Sequence, residues 1–101
     1  MIQKPNTQPV EVHALTPWNC GTIGAITEGQ IIGTVETQMG SHYVLEVQSG
    51  ERFRLPNHVD LDRKIQAVRM IESNPYLVVK FTGHEEDGKT RIYLVQHYPR
   101  K

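Results

Sequence analysis

The stretch HYVLEVQSGERFRLPNHV, residues 42–59, contains the alternation that decides the fold. Apolar side chains occupy every second position of its first half, at Tyr43, Leu45 and Val47. This spacing predicts a strand with one buried face. Ser49-Gly50 is typical of a two-residue hairpin turn. The stretch therefore predicts two antiparallel strands joined by a tight turn.

The returning strand, ERFRL at residues 51–55, carries two arginines on either side of an aromatic ring. Alternation places Phe53 toward the core, and Arg52 and Arg54 on the opposite face. Outward positions on a half-buried sheet are polar by default, so the arginines alone do not indicate a function. They form a binding site only if other cations and rings converge on them.

The segment before this hairpin predicts one more strand. IIGTVETQ, residues 31–38, is rich in β-branched side chains and ends at the turn Met39-Gly40-Ser41. Residues 1–27 differ, because they hold three of the six prolines and only two charged side chains. We predict that residues 1–27 are an N-terminal extension, partly disordered or forming an appended strand, with Trp18 packed on the main body.

After the hairpin the apolar spacing becomes helical. In DLDRKIQAVRMIE, residues 60–72, Leu61, Ile65 and Val68 recur every three or four positions. Asp60 is expected to cap the start of this helix. Two further strands follow, at residues 76–82 and 90–98. We expect their inward side chains to be Leu77, Val79, Phe81, Ile92 and Leu94, which leaves Lys80, Arg91, Tyr93, Val95 and His97 outward.

Three strands, a short helix and a final hairpin follow the plan of the five-stranded OB barrel. We therefore predict an all-β domain over residues 28–101, a small OB-like barrel with one helix between strands three and four. An SH3-like barrel is the alternative all-β plan. It also has five strands, but a helix of this length between the third and fourth is not expected in it.

Residues 28–98 also resemble a family, that of bacterial translation initiation factor one, a small S1-like OB domain. The resembling motifs are Gly33-Thr34-Val35, Tyr43-Val44-Leu45-Glu46-Val47, Ser49-Gly50, His58-Val59 and Gly88-Lys89-Thr90-Arg91-Ile92. The basic pair Arg63-Lys64 in the helix and Val78-Val79-Lys80 in the fourth strand are similar to the family pattern as well. This resemblance implies an OB barrel and a role on the ribosome.

Composition sets limits on partners and compartment. Eleven basic and eleven acidic side chains cancel, so net charge indicates no partner. No apolar run approaches the roughly 20 residues that span a bilayer, and the start of the chain lacks the apolar core of a signal peptide. The single cysteine, Cys20, cannot form an internal disulfide. We expect a cytoplasmic protein.

The OB plan predicts a non-catalytic module that binds single-stranded nucleic acid or RNA. OB domains bind oligonucleotides on strands two and three, with help from the loops between strands one and two and between strands four and five. Cations are needed for phosphates and flat rings for bases. The candidates, outward on strands or in those loops, are Arg52, Arg54, His42, Lys80, Lys89, Arg91 and Tyr93.

Protein binding is the alternative hypothesis. The Pro-rich extension would then order on a partner or on a second copy, with Trp18 in the interface. Such a module could be an accessory or inhibitor protein of a phage or mobile element, or a subunit of a larger assembly.

Metal binding and catalysis are not expected. The five histidines, His13, His42, His58, His84 and His97, lack zinc-type spacing, and only one cysteine is present. GTIGAITEG, residues 21–29, lacks the Gly-Lys-Ser/Thr of a phosphate loop. No nucleophile, base and orienting group can be assembled from the sequence. We predict no metal, no cofactor and no enzymatic activity.

Overall fold

A computed structural model describes residues 15–99 as a six-stranded sheet with one helix. The strand order is β1-β4-β3-β2-β5-β6; β1 and β4 are parallel and the other pairs antiparallel. Residues 1–14 of the predicted N-terminal extension lie outside the described residues. The elements are β1 (Thr16–Pro17), β2 (Ile26–Thr37), β3 (Gly40–Glu46), β4 (Arg52–Arg54), α1 (Val59–Arg69), β5 (Tyr76–His84) and β6 (Arg91–Tyr98).

The prediction of a small all-β domain with one short helix is confirmed. The prediction of a closed five-stranded barrel is wrong, because β4 pairs with β1 instead of β6 and the sheet stays open. Within the described residues no helix is long and apolar enough to cross a membrane.

The predicted meander is present as β2, β3 and β4. Gly29 allows β2 to approach β3 closely, since a Cβ there would overlap the Glu46 carbonyl oxygen and lie 2.9 Å from its carbon. The loop after β3 is at the predicted place but contains three residues, because the Val47 amide bonds the Glu51 carbonyl at 2.9 Å. Gly50 in this loop has a φ of +92°, which glycine adopts without steric penalty.

The core lies on one face of the sheet, under α1. The inward positions predicted for β3 and β5 are confirmed, except that Val47 lies just beyond the end of β3 and is only partly buried. A smaller cluster of Leu15, Val35 and Val44 covers part of the opposite face, so β3 is buried on both sides. The main cluster contains Cys20, Ile31, Tyr43, Leu45, Leu55, Leu61, Ile65, Leu77, Val79, Phe81 and Tyr93.

The side-chain alternation predicted for β6 is wrong by one residue. Tyr93 is 1% exposed and lies in the core, whereas Leu94 is 51% exposed. Ile92 is only half-buried, and Val95 packs against the core. Both alternating sets on this strand contain apolar side chains, so periodicity could not separate them. The Tyr93 ring can be buried because its hydroxyl forms hydrogen bonds with His58 and Cys20 in the core.

The role predicted for Asp60 is also wrong. Position 58 is the N-cap of α1, with no capping bond from its side chain. Asp60 lies in the first turn, is 5% exposed, and accepts a hydrogen bond from the Tyr93 amide at 3.0 Å. Lys64 donates to the Tyr93 carbonyl at 2.6 Å and pairs with the Asp60 carboxylate at 2.9 Å. The helix therefore binds the outer edge of β6 through these two side chains.

These contacts explain why the sheet stays open. In a closed barrel the edge of β6 would bond the third strand of the meander, here β4. The amide and carbonyl of Tyr93 are instead satisfied by Asp60 and Lys64. Farther along the same strand, His97 bonds Glu72 at 2.9 Å, just after the helix ends. Side chains of the helical region thus occupy positions that a paired strand would need.

Candidate nucleic-acid interface

Residues 16–25 cross from the edge of β4 to the hairpin of β5 and β6. The Trp18 amide donates to the Arg54 carbonyl at 3.0 Å, which continues the β1–β4 pairing. Two residues on, the Cys20 carbonyl accepts a hydrogen bond from Arg91 at 3.2 Å. The Gly24 amide then donates to the Phe81 carbonyl at 2.8 Å. This segment spans the opening of the sheet and brings Trp18 beside the start of α1.

Two adjoining cavities follow this segment, and we call them together the Trp18 groove. The first has a volume of about 200 Å³ and the second about 280 Å³. They share Asn57 and His58, which precede α1. The first contains Trp18 and Arg54, and the second Lys89 and Arg91. The groove is lined by Pro17, Trp18, Met39, His42, Arg54, Leu55, Pro56, Asn57, His58, Val59, Lys89, Thr90 and Arg91.

The aromatic rings of the groove are fixed from below by Tyr93. Its ring centroid lies 6.1 Å from that of Trp18 and 5.8 Å from that of His58, and the last pair is stacked. Phe81 packs under Tyr93 at 5.5 Å. Because Trp18 and His58 are only half-buried, their upper surfaces remain at the cavity wall.

His58 is held as a neutral ring. Burial, and next the nearby Arg91 and then His42, lower the pKa of His58 below its usual value. Burial, and next the hydrogen bond with Cys20, raise the pKa of Tyr93, which stays protonated. The Tyr93 hydroxyl and His58 Nδ1 share a hydrogen bond at 2.7 Å, which fixes the orientation of the His58 ring.

The Arg91 guanidinium is oriented by its surroundings. Its Nη1 donates to the Cys20 carbonyl and lies 3.7 Å from the Cys20 sulfur. Its central carbon is 4.9 Å from the centroid of the Phe81 ring, a cation–π contact. Since a guanidinium has five N–H groups, this anchoring leaves donors for a ligand in the second cavity.

The structure brings together only part of the predicted site. Arg54, Lys89 and Arg91 line the groove, and Trp18, predicted for a protein interface, lies between them. Arg52 lies at the other end of β4, where its Nε bonds Glu46 at 3.0 Å. Lys80 is exposed on the outer face of β5, beside Ile26 and Leu94.

The two rings predicted to stack on bases are buried. His42 is 7% exposed, and its ring nitrogens lie 2.9 Å from the Thr37 hydroxyl and 2.8 Å from the Leu55 carbonyl. Tyr93 is in the core. His42 does line the first cavity, but a ring so little exposed offers no free face for stacking, and the same holds for Tyr93. The rings at the surface are those of Trp18 and His58. Trp18 was predicted for a protein interface, and His58 was not among the predicted site residues.

The sequence contains only an indirect indication that His58 belongs to the site. It follows Pro56-Asn57 immediately before a helical pattern, a place where loop side chains gather. Asn57 donates a short hydrogen bond to the Met39 carbonyl, which ties the β2–β3 turn to the groove. Nothing in the local pattern places Trp18 beside these residues, since 40 positions separate Trp18 from His58.

The electrostatics of the groove favour an anion. Among residues 15–99, no acidic side chain lines either cavity. Three carboxylates lie close by in sequence, at Glu85, Glu86 and Asp87 in the β5–β6 turn. Asp87 is folded back within this turn, where it accepts hydrogen bonds from the amides of Lys89 and Thr90 at 2.8 and 2.9 Å. Those bonds hold the pKa of Asp87 below its usual value.

Comparison with known proteins identifies no relative: no protein family, curated protein or solved structure matches the chain. Within the described part of the chain, no three histidine, cysteine or acidic side chains lie close enough together to hold a metal ion. His13 lies outside that part. The function of this protein is therefore inferred from the chemistry of the groove.

Proposed function

We propose that this protein is a non-catalytic module that binds single-stranded nucleic acid in the Trp18 groove. The observation that carries the proposal is the alignment of Arg54, Trp18, His58, Lys89 and Arg91 along two adjoining cavities. Cations bind the phosphates, and the half-buried Trp18 ring supplies a stacking surface for a base. The ligand is a single strand because only unpaired bases expose their ring faces.

The fold supports this proposal. The strands β2 to β6 follow the chain order of an OB domain: a three-stranded meander, a helix and a hairpin. OB domains bind oligonucleotides between the loops that follow the first and fourth strands. The corresponding loops here reach the groove through Met39 and through Lys89 and Thr90. The OB-like character, and a place among cytoplasmic proteins that act on RNA, are part of the proposal.

A titration of the Trp18 fluorescence tests the proposal, since Trp18 is the only tryptophan. Single-stranded DNA and RNA of about eight nucleotides are long enough for one OB-type site. We expect quenching that saturates, and an affinity that falls as salt rises because phosphate contacts release counterions. Absence of any response to either nucleic acid at low salt would remove the proposal.

Substitution of the ring gives the matched control. Trp18→Phe keeps an aromatic surface, whereas Trp18→Ala removes it. Stacking contributes roughly 1–3 kcal/mol per base, so we expect Trp18→Ala to weaken binding by about fivefold or more, and Trp18→Phe to weaken it less. Fluorescence anisotropy of a labelled oligonucleotide measures both variants. Equal affinities of all three proteins would show that the ring is outside the interface.

A protein interface is the second candidate, and the outer face of the sheet favours it. Ile26 is 60% exposed and Leu94 is 51% exposed, and both neighbour Lys80 across the strands. Exposed apolar side chains on adjacent strands are typical of contact surfaces. A second copy of the chain is the simplest occupant. Light scattering over a range of concentrations tests it, with Leu94→Lys expected to abolish any dimer.

A further inference from the structure

The second cavity of the Trp18 groove differs from the first in the donors it offers. It is lined by Asn57, His58, Val59, Lys89, Thr90 and Arg91. It contains two cations, the Lys89 ammonium and the Arg91 guanidinium, whereas the first cavity has the Trp18 ring and a single arginine. His58 lines both cavities. The denser positive charge suits a ligand that is more negative than one internal phosphodiester.

We propose that this second cavity binds the terminal phosphate of the single strand whose base stacks on Trp18; this inference rests on the proposed function. A phosphomonoester carries about −1.5 to −2 charges near pH 7, whereas an internal phosphodiester carries one. It also presents three strong acceptor oxygens. Lys89 and Arg91 supply separate charged donors for those oxygens.

The anchored guanidinium of Arg91 and the fixed backbone of Lys89 support the assignment. Arg91 is anchored on the Cys20 carbonyl at 3.2 Å and on the Phe81 ring at 4.9 Å. The backbone of Lys89 is fixed by the hydrogen bond of its amide to Asp87 at 2.8 Å. Anchored donors lose less conformational freedom on binding, so their contacts with a ligand are retained as affinity.

The acidic side chains beyond the cavity explain why the bound nucleic acid would end there. Glu85, Glu86 and Asp87 are exposed in the turn that leads into Lys89. A nucleic-acid backbone that continued past Lys89 would bring further phosphates toward these carboxylates, and the juxtaposition of like charges is unfavourable. A nucleic-acid strand that runs from Arg54 past Trp18 and ends at Lys89 avoids that repulsion.

The test compares one oligonucleotide sequence of about eight nucleotides in three forms: a 5′-phosphate, a 3′-phosphate, and hydroxyls at both ends. DNA and RNA versions are each measured by anisotropy against the full chain. One phosphorylated form is expected to bind about tenfold or more tightly than the hydroxyl form, since hydrogen bonds to charged groups are the strong ones. A hydroxyl-ended oligonucleotide with one additional nucleotide controls for added charge and should gain much less.

Two lysine variants locate the effect. Lys89→Ala should reduce the preference for the phosphorylated end to about twofold or less, while Lys80→Ala, on the outer face, should leave it unchanged. If the wild-type chain binds all three forms equally, the terminal-phosphate assignment is overturned while the proposed function stands. A preference that survives Lys89→Ala overturns the placement in this cavity. If no form binds, the proposed function itself has failed.

Discussion

The two edges of the open sheet are covered by different means. The edge of β4 is covered by main chain, where β1 pairs with Phe53 and Arg54. The edge of β6 is covered by the ionised side chains of Asp60 and Lys64. The first covering depends on backbone geometry and tolerates side-chain changes, whereas the second depends on two residues and on their charge.

The groove is a consequence of this difference. Because α1 occupies the edge of β6, the sheet does not close on β4, and residues 16–25 cross the opening. The same crossing places Trp18 between Arg54 and His58. The proposed binding surface therefore lies where the domain departs from the predicted barrel.

Removal of the Asp60 carboxylate should have the largest effect. Asp60→Ala leaves the Tyr93 amide without its acceptor at a buried site, which costs about 1–3 kcal/mol in the free energy of unfolding. Urea unfolding measures the change. Asp60→Asn keeps an acceptor but loses the attraction to Lys64, so its effect should be smaller. An unchanged midpoint for Asp60→Ala would mean that the edge of β6 needs no such covering.

Acid should act through the same contact. Burial opposes ionisation of Asp60, but the Tyr93 amide and then Lys64 and Arg63 outweigh it and hold the pKa of Asp60 below its usual value. Since the folded pKa is the lower one, the stabilisation is complete above about pH 4 and is lost as pH falls through the folded pKa.

Unfolding free energies measured between about pH 6 and pH 2 test the acid prediction. The loss expected at low pH should be absent in Asp60→Asn. Asp62 acts in the opposite sense, because burial raises its pKa although the His42 charge opposes this, so Asp62→Asn is the proper background for both curves. A loss of the same size with and without the Asp60 carboxylate would assign acid sensitivity to another group.

The two arginines of β4 should differ in binding. Arg54 lines the groove, whereas Arg52 is paired with Glu46 away from it. Arg54→Glu should weaken oligonucleotide binding by roughly tenfold and lower the salt slope by about one. Arg52→Glu should change the affinity by less than about twofold. Anisotropy titrations at two salt concentrations measure both variants. Equal losses of affinity would mean that the interface includes the whole of β4 and not only the groove.

The smallest effect is expected at the edge of β4. Thr16→Ala alters an exposed side chain while the main-chain pairing with Phe53 remains. We expect a change in the free energy of unfolding below about 0.5 kcal/mol, measured by urea under the same conditions as Asp60→Ala. A loss as large as that of Asp60→Ala would mean that the two edges are not covered by different means.

The meander was predictable from its β-branched and alternating apolar side chains, although Val44 is buried on the face opposite Tyr43 and Leu45. β5 was predictable because it has one consistent alternation. Leu77, Val79 and Phe81 alternate with polar or smaller side chains, and all three are fully or almost fully buried. β6 was not predictable in this way, because Tyr93 and Leu94 are both apolar. Its orientation is selected by hydrogen bonds of Tyr93 to His58 and Cys20, which lie 35 and 73 positions away.

The candidate site shows the same limit. Alternation correctly separated Arg54 from the core, and loop position indicated Lys89. Neither could indicate that Arg52 would pair with Glu46, or that His42 would be buried under Leu55. These outcomes depend on which distant segments meet.

Short-range pattern was thus sufficient for the strands, the helix and the turns, since propensity and periodicity act over a few residues. Whether the sheet closes, which side of β6 is buried and which ring lies beside Arg54 depend on contacts between distant parts of the chain. The free energies involved, such as those of Asp60 on β6 and of Trp18 beside Tyr93, arise only when those parts are packed together.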